Sequence, residues 1–298
     1  MTPHAGAPWP DDGSDPGEPE IVVEPDEASA AAKAAGRIAA ALADAVRRRG
    51  RADWATTGGS TPVPVYRHLT ARPLRDAVPW DRVHVWWGDD RVVPRDHPLS
   101  NRLAFDNVLL RVAGPAGTSG SGEDAEFGAT DEPGVPIPVD NVHAIPIDLA
   151  LGRTASEDEA AAEAAATYES ALRAAPLERD PSGFPILDVV FIGIGPDGHV
   201  LSVFPGSPLF DATRWVLPVP APSHVEPHVA RVSLHPRILA AARLPLAVVL
   251  GSVKADVVRE VLEGPRAVRR LPSQLARRAG AAWVLDAAAA ARLGPRPA

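Results

Sequence analysis

The residue best placed by its neighbours to move a proton is His199. It lies in the stretch PILDVVFIGIGPDGHVLSVFPGS (185–207). There the apolar run from Ile186 to Ile194 reads as a strand buried on both faces. Gly193, Gly195, Pro196, Asp197 and Gly198 then force a tight turn. The imidazole is therefore expected at the carboxyl end of a central strand, where open α/β sheets bind their ligands. An imidazole is the side chain suited to general acid–base chemistry near neutrality. GIGPDG also fits G-x-G-x-x-G, but Pro196 removes an N–H that a pyrophosphate would use. Pro205 limits any following helix to about one or two turns. The motif also sits deep in the chain, so a dinucleotide is not the expected ligand.

Three other stretches carry candidate chemistry. TTGGSTP (56–62) reads as strand, turn and helix start, with Ser60 or Thr61 as cap and Pro62 in the first turn. Such a turn aims the N–H groups of Gly58, Gly59 and Ser60 at an anion, although the Gly-Lys-Ser/Thr ending of a Walker loop is missing. GDDRVVP (88–94) puts Asp89, Asp90 and Arg91 at a strand's end. Arg91 suits bidentate phosphate contact, and either aspartate is suited to orient the imidazole or a water. Lys254, just after Gly251-Ser252, is a second candidate phosphate ligand. HVEPH (224–228) offers two histidines, but Pro227 prevents the helical spacing of zinc hydrolases and no third ligand suggests itself; no metal is expected. There is no G-x-S-x-G elbow, which leaves activation of water as the natural mechanism.

The rest of the chain must position these groups. Its 298 residues are 45% hydrophobic, enough to bury the core of one large α/β domain or two small ones. Net charge is −8 without a basic cluster, which argues against nucleic acid and requires a local positive pocket for any anionic substrate. Cysteine is absent, excluding disulfides and thiolate chemistry, and this agrees with a cytoplasmic setting. No run approaches the ~18 apolar residues of a membrane span. Residues 1–19 are acidic and rich in Pro and Gly; they carry no secretory signal and are expected to be a disordered tail, with 20–298 forming a single α/β domain.

Strands are expected at Ile21–Val23, Trp54–Thr57, Val83–Trp87, Val142–Ile145, Trp215–Val219, Val229–Leu234, Leu246–Leu250 and Ala282–Leu285. Helices are expected from about Glu27 to Arg49, capped by Asp26, from Pro62 to Leu69 and from Ser100-Asn101 through Leu110. Further helices are expected at Ser156–Ala174, Pro236–Ala242, Ser252–Leu262 and near Pro272–Arg278, with an Ala-rich one at the end. Residues 112–140 have no periodicity and read as a flexible Gly/Ser/Pro/acid insertion. Alternating strands and helices imply a Rossmann-like α/β fold, a mostly parallel sheet with helices on both faces.

In this order the stretches resemble the 6-phosphogluconolactonase family, within the superfamily that includes the glucosamine-6-phosphate isomerases. The likeness lies in TTGGSTPVPVYRHL, VHVWWGDDRVVPRDHPLSNR, LDVVFIGIGPDGHVLSVFPGS and HVARVSLHPRILAAARLPLAVVLGSVKADVV, with LPSQLA and AAWVLD towards the end. GPDGH followed by SVFPG is the most specific piece, because the related deaminases usually continue with an Asn-Glu-Pro-Gly type segment. Asp90 stands where the family commonly has Glu, Val200 and Val203 depart from a Thr-Ala-Ser-Leu pattern, and the insertion is long.

The resemblance implies the fold of the sugar-phosphate isomerases and deaminases, and hydrolysis of 6-phospho-D-glucono-1,5-lactone without a cofactor. It implies His199 as general base, Arg91 and Lys254 at the phosphate, Gly58, Gly59 and Ser60 as the anion-binding turn, and Asp197 as a positioner of the signature loop. The alternatives are a sugar-phosphate isomerase or glucosamine-6-phosphate deaminase, with Asp89 or Asp90 as base, and a non-catalytic sugar-phosphate sensor. Whether the chain is a monomer or a small homo-oligomer stays open.

Overall fold

The computed structural model describes residues 16–111 and 133–295. Most of the expected tail and insertion, residues 1–15 and 112–132, lie outside the described residues. The strands are β1 (Glu20–Glu24), β2 (Ala52–Thr56), β3 (Val83–Trp87), β4 (Asp89–Arg91), β5 (Val142–His143), β6 (Val189–Ile192), β7 (Val216–Val219), β8 (Arg231–Leu234), β9 (Leu244–Val249) and β10 (Ala282–Asp286). The helices are α1 (Glu27–Arg49), α2 (Pro62–Thr70), α3 (Leu74–Ala77), α4 (Asn101–Ala104), α5 (Ile147–Leu151), α6 (Glu157–Ala174), α7 (Pro236–Ala241) and α8 (Ala255–Glu263). A π-helical stretch, Phe105–Leu110, prolongs α4.

Seven strands form one sheet in the order β1-β10-β9-β6-β2-β3-β5, every adjacent pair parallel. From β2 the chain winds outward to β3 and β5, then returns to place β6 on the other side of β2 and continues to β9. The order thus reverses between β2 and β6, which makes their carboxyl ends the switch point where open α/β sheets bind ligands. Both strands are buried along their whole length.

The two faces are covered by different helices, and the aromatic residues show how. In β3 the adjacent Trp86 and Trp87 must point to opposite faces. Trp87 meets Phe105 edge-on at 4.9 Å, on the side where Trp54 of β2 meets Tyr66 of α2 at 6.2 Å. Trp86 meets Tyr168 of α6 at 6.0 Å, and the Tyr168 hydroxyl both accepts from the Trp87 N–H and donates to the Trp87 carbonyl. The long helix α1 starts where Asp26 accepts from the Ser29 N–H and stops at Gly50 in the left-handed conformation. Its buried stripe, including Ala30, Ala34, Ile38 and Leu42, is mostly alanine and lets the helix lie close to the sheet.

Four features depart from the sequence reading. GDDR is more than the end of β3: Gly88 bends the chain and Asp89–Arg91 become β4, one edge of a separate antiparallel sheet ordered β4-β8-β7. No helix follows β6. Instead the backbone closes a pair of turns, with the Gly195 N–H on the His199 carbonyl at 2.9 Å and the Val203 N–H on the Val200 carbonyl at 2.9 Å. The Ala-rich C-terminal segment forms turns rather than a helix. Finally, the expected insertion is anchored at Val135, whose side chain is buried and whose N–H bonds the Leu109 carbonyl at 2.9 Å.

Leu42 is wholly buried between α1 and its neighbours. Leu42→Ala is expected to cost ~2–5 kcal/mol of stability. Urea unfolding measures it, and a loss well below this range would show that the α1 face is loosely packed.

Candidate active site

The turn after β6 sets the geometry. Asp197 Oδ1 accepts twice from His199, from its backbone N–H at 3.1 Å and from ring Nδ1 at 2.5 Å. This tautomer places the proton on Nδ1 and leaves the lone pair of Nε2 for a substrate-side proton. Burial raises the Asp197 carboxyl, but the His199 hydrogen bond and charge outweigh it and hold the group at about 2. The imidazole lies 4.8 Å from the Phe204 ring. Glycine is obligatory at 195, because a Cβ there would sit 2.0 Å from His199 Nδ1. The LPSQLA segment braces the turn from outside, the Ser273 N–H donating to the Gly198 carbonyl at 3.0 Å.

The sequence-singled residues gather around this turn. Lys254 donates through Nζ to the Ile194 carbonyl at 3.0 Å, and burial lowers its pKa against the opposing pull of Asp197. The Gly58–Ser60 turn follows β2 next door, and Thr61 Oγ1 lies 3.9 Å from where a Cβ on Gly193 would project. Thr61 takes the capping position of α2 but makes no side-chain capping bond. Arg91 donates to the Leu99 carbonyl at 3.3 Å and to Asn101 Oδ1. Asn101 in turn packs so close to Gly58 that a Cβ there would come within 2.0 Å of its Oδ1.

The two aspartates of GDDR do not orient the imidazole; that partner is Asp197. Asp89 is buried, accepting from the Ser202 hydroxyl at 2.6 Å and the Asn101 side-chain amide at 3.2 Å. Asp90 Oδ1 accepts the backbone N–H groups of Arg91 and Asn101, both at 2.8 Å. Burial pushes the Asp90 carboxyl up to about 7 despite those two bonds.

Sequence reasoning passed over Arg231. It lies directly across from Arg91 in the β4–β8 register and is only 2% exposed. Its guanidinium stacks over Phe204 at 5.3 Å and donates to the Pro227 carbonyl at 3.2 Å. Burial lowers its pKa, partly offset by Asp89. Among the described residues neither Arg91 nor Arg231 is within ion-pair distance of a carboxylate, and each has a buried Nε without a partner. The signal was present as a lone Arg inside the apolar strand RVSL. Asn101, read only as a helix opener, was missed for the same reason: its partners come from other elements.

HVEPH does not form a metal-binding pair. His228 Nδ1 faces the Pro222 carbonyl at 2.6 Å and its Nε2 faces Glu226 at 2.9 Å, whereas His224 turns towards Asp197. Among the described residues no group of three or more His, Asp and Glu side chains is disposed to hold a metal ion. No helix among them is long and apolar enough to cross a membrane.

The molecule is thus a doubly wound α/β protein with an Asp–His pair and a cluster of cations at the switch point of its sheet. The chain belongs to the family described as glucosamine-6-phosphate isomerases/6-phosphogluconolactonase, whose family model matches residues 25–284. The 6-phosphogluconolactonase of Streptomyces coelicolor is 31% identical over 276 residues, covering 92% of this chain and 95% of that one. The 6-phosphogluconolactonase of Mycobacterium tuberculosis is 31% identical over 274 residues, covering 92% and 98%. Among solved structures, the 6-phosphogluconolactonase of Trypanosoma brucei superposes with a TM-score of 0.74 at 24% identity, over 93% of this chain and 99% of that one. A monomeric glucosamine-6-phosphate deaminase gives 0.66 at 14% identity, over 92% and 99%. These structural likenesses establish a shared fold.

The raised pKa of Asp90 has a consequence for stability. Between the unfolded value of 3.8 and about 7 the folded chain holds a proton that the unfolded chain has released. Unfolding therefore becomes easier as pH rises through that window. Asp90→Asn keeps the acceptor oxygen and cannot ionise, so it should flatten this loss. Urea unfolding of both proteins at about pH 5 and about pH 8 measures it. An equal loss in both would remove Asp90 as the cause.

Proposed function

We propose that this protein hydrolyses 6-phospho-D-glucono-1,5-lactone to 6-phospho-D-gluconate. The observation that carries the reading is His199, oriented through Nδ1 by Asp197, together with the paired guanidiniums of Arg91 and Arg231, which have no carboxylate within ion-pair reach among the described residues. The curated relatives named 6-phosphogluconolactonase, each spanning nearly the whole chain, support the same substrate.

In this reading the phosphate is held by Arg91, Lys254 and the Gly58–Ser60 turn, with Arg231 adding to the positive potential. Guanidinium forks and free backbone N–H groups suit phosphate oxygens. Anchoring the phosphate fixes the lactone ring relative to His199, so the reaction becomes effectively intramolecular. Nε2 of neutral His199 removes a proton from water as the oxygen attacks the C1 carbonyl. The resulting imidazolium is steadied by Asp197 and returns the proton to the ring oxygen as the C1–O bond breaks. Such a base-and-acid cycle contributes about 10²–10⁴-fold. No step calls on a cofactor.

An isomerase or deaminase would require a base for a carbon-bound proton, commonly a carboxylate. Asp89 and Asp90 are poor candidates, since both are buried and occupied by Ser202, Asn101 and backbone N–H groups.

The test is a coupled assay in which glucose 6-phosphate is oxidised to the lactone and 6-phosphogluconate dehydrogenase reports the acid. His199→Ala is expected to lower kcat by about 10²-fold or more with little change in KM. Near-normal turnover in that variant would overturn the base assignment, and no acceleration by the wild type would overturn the activity. Arg91→Ala is expected to raise KM by roughly 10-fold or more. An unchanged KM would remove Arg91 from the phosphate site.

A further inference from the structure

Asp197 has two oxygens, and the mechanism above uses one. Oδ2 is buried and makes no hydrogen bond among the described residues, yet it faces Nε2 of His224 at 3.4 Å. An unpartnered carboxylate oxygen held away from water is costly, so a cation or donor aimed at it supplies what the turn itself lacks. His224 comes from a distant segment, between β7 and β8, and also meets Phe204 edge-on at 5.4 Å. Phe204 is the ring that packs on His199, so the two histidines enclose one carboxylate and one aromatic ring.

The segment carrying His224 is braced independently of that contact. His228 ties the loop to itself through the Pro222 carbonyl at 2.6 Å and Glu226 at 2.9 Å. Arg231 and the Val229 N–H both donate to the Pro227 carbonyl, at 3.2 Å and 3.0 Å. Val225 packs against the core. The His224 side chain itself is 53% exposed, against 16% for His199, so it stands at the mouth of the site with its ring open to solvent.

We infer that His224 is a second positioning imidazole of this site: by engaging Asp197 Oδ2 it fixes the carboxylate that orients His199 and, when protonated, shares that carboxylate's charge. The inference rests on the reading of His199 as general base. The charged groups that bear on Asp197 are His199, His224, Lys254 and Arg231. On the loop of His224, Glu226 is already paired with His228. Removing His224 leaves the Asp197 charge to act more fully on His199, which favours the imidazolium and holds back the free base until higher pH. It also frees the carboxylate to rotate, which loosens the ring.

The experiment measures kcat and KM against pH for the full chain with the phosphorylated lactone, after subtraction of unaided hydrolysis. The proteins compared are the wild type, His224→Ala, His224→Gln and His199→Ala. For His224→Ala we expect kcat roughly 5-fold lower, KM unchanged, and the acid limb of kcat/KM about half a unit higher. His224→Gln should recover part of kcat, because its amide is able to donate to Oδ2. Its acid limb should stay with that of His224→Ala, because the amide carries no charge. Unchanged kcat and acid limb in His224→Ala would overturn the inference. So would a raised KM with normal kcat, which would mean that His224 touches substrate instead. An active His199→Ala variant overturns the base reading itself, whereas inactive His199→Ala with silent His224 variants overturns this inference alone.

Discussion

The candidate site depends on the hydrogen bond between Asp197 and His199, and that bond depends on an absence of atoms at position 195. Two residues apart in sequence, the carboxylate and the ring can meet only if the backbone folds back tightly. The ring then occupies the space a side chain on residue 195 would need. Two outside contacts act on that same turn: Lys254 on the Ile194 carbonyl and Ser273 on the Gly198 carbonyl. A ring held through a short loop by backbone bonds and outside braces is pre-organised, which is the condition for efficient proton transfer.

A second constraint is electrostatic. The chain carries a net charge of −8, so an anionic substrate must meet locally concentrated positive charge. The small antiparallel sheet supplies it by setting Arg91 and Arg231 side by side with no carboxylate within ion-pair reach among the described residues. Asp89 and Asp90 lie in the same strand as Arg91, but their oxygens are committed to Ser202, Asn101 and backbone N–H groups. The acids of this strand therefore act as struts for its geometry, and Arg91 keeps its charge for the open side.

Much of this was legible in the chain itself. The helix Glu27–Arg49 has the same limits in both readings, because Asp26 and Gly50 are strong local stop signals acting within a few residues. The parallel sheet followed from apolar runs alternating with helical segments. Strand β4 did not, because Asp-Asp-Arg has no strand propensity and becomes extended only by pairing with β8, more than a hundred residues later. The missing helix after β6 has the same origin. Val200–Val203 closes on itself, and Leu201 adopts a left-handed backbone at φ 56° beside Gly88.

Features with causes inside a short window could be read from the chain alone: caps, turns, buried runs, and the Gly-rich loop that presents His199. The sequence also marked Arg91, Lys254 and the Gly58–Ser60 turn as residue types suited to an anion. The folded arrangement alone sets which aspartate faces the imidazole, brings Arg231 beside Arg91, and turns His224 to the far oxygen of Asp197. Those choices depend on strand register and on loops that meet across the switch point. Side-chain pairing at that range is set by packing of the whole sheet, and no local pattern encodes it.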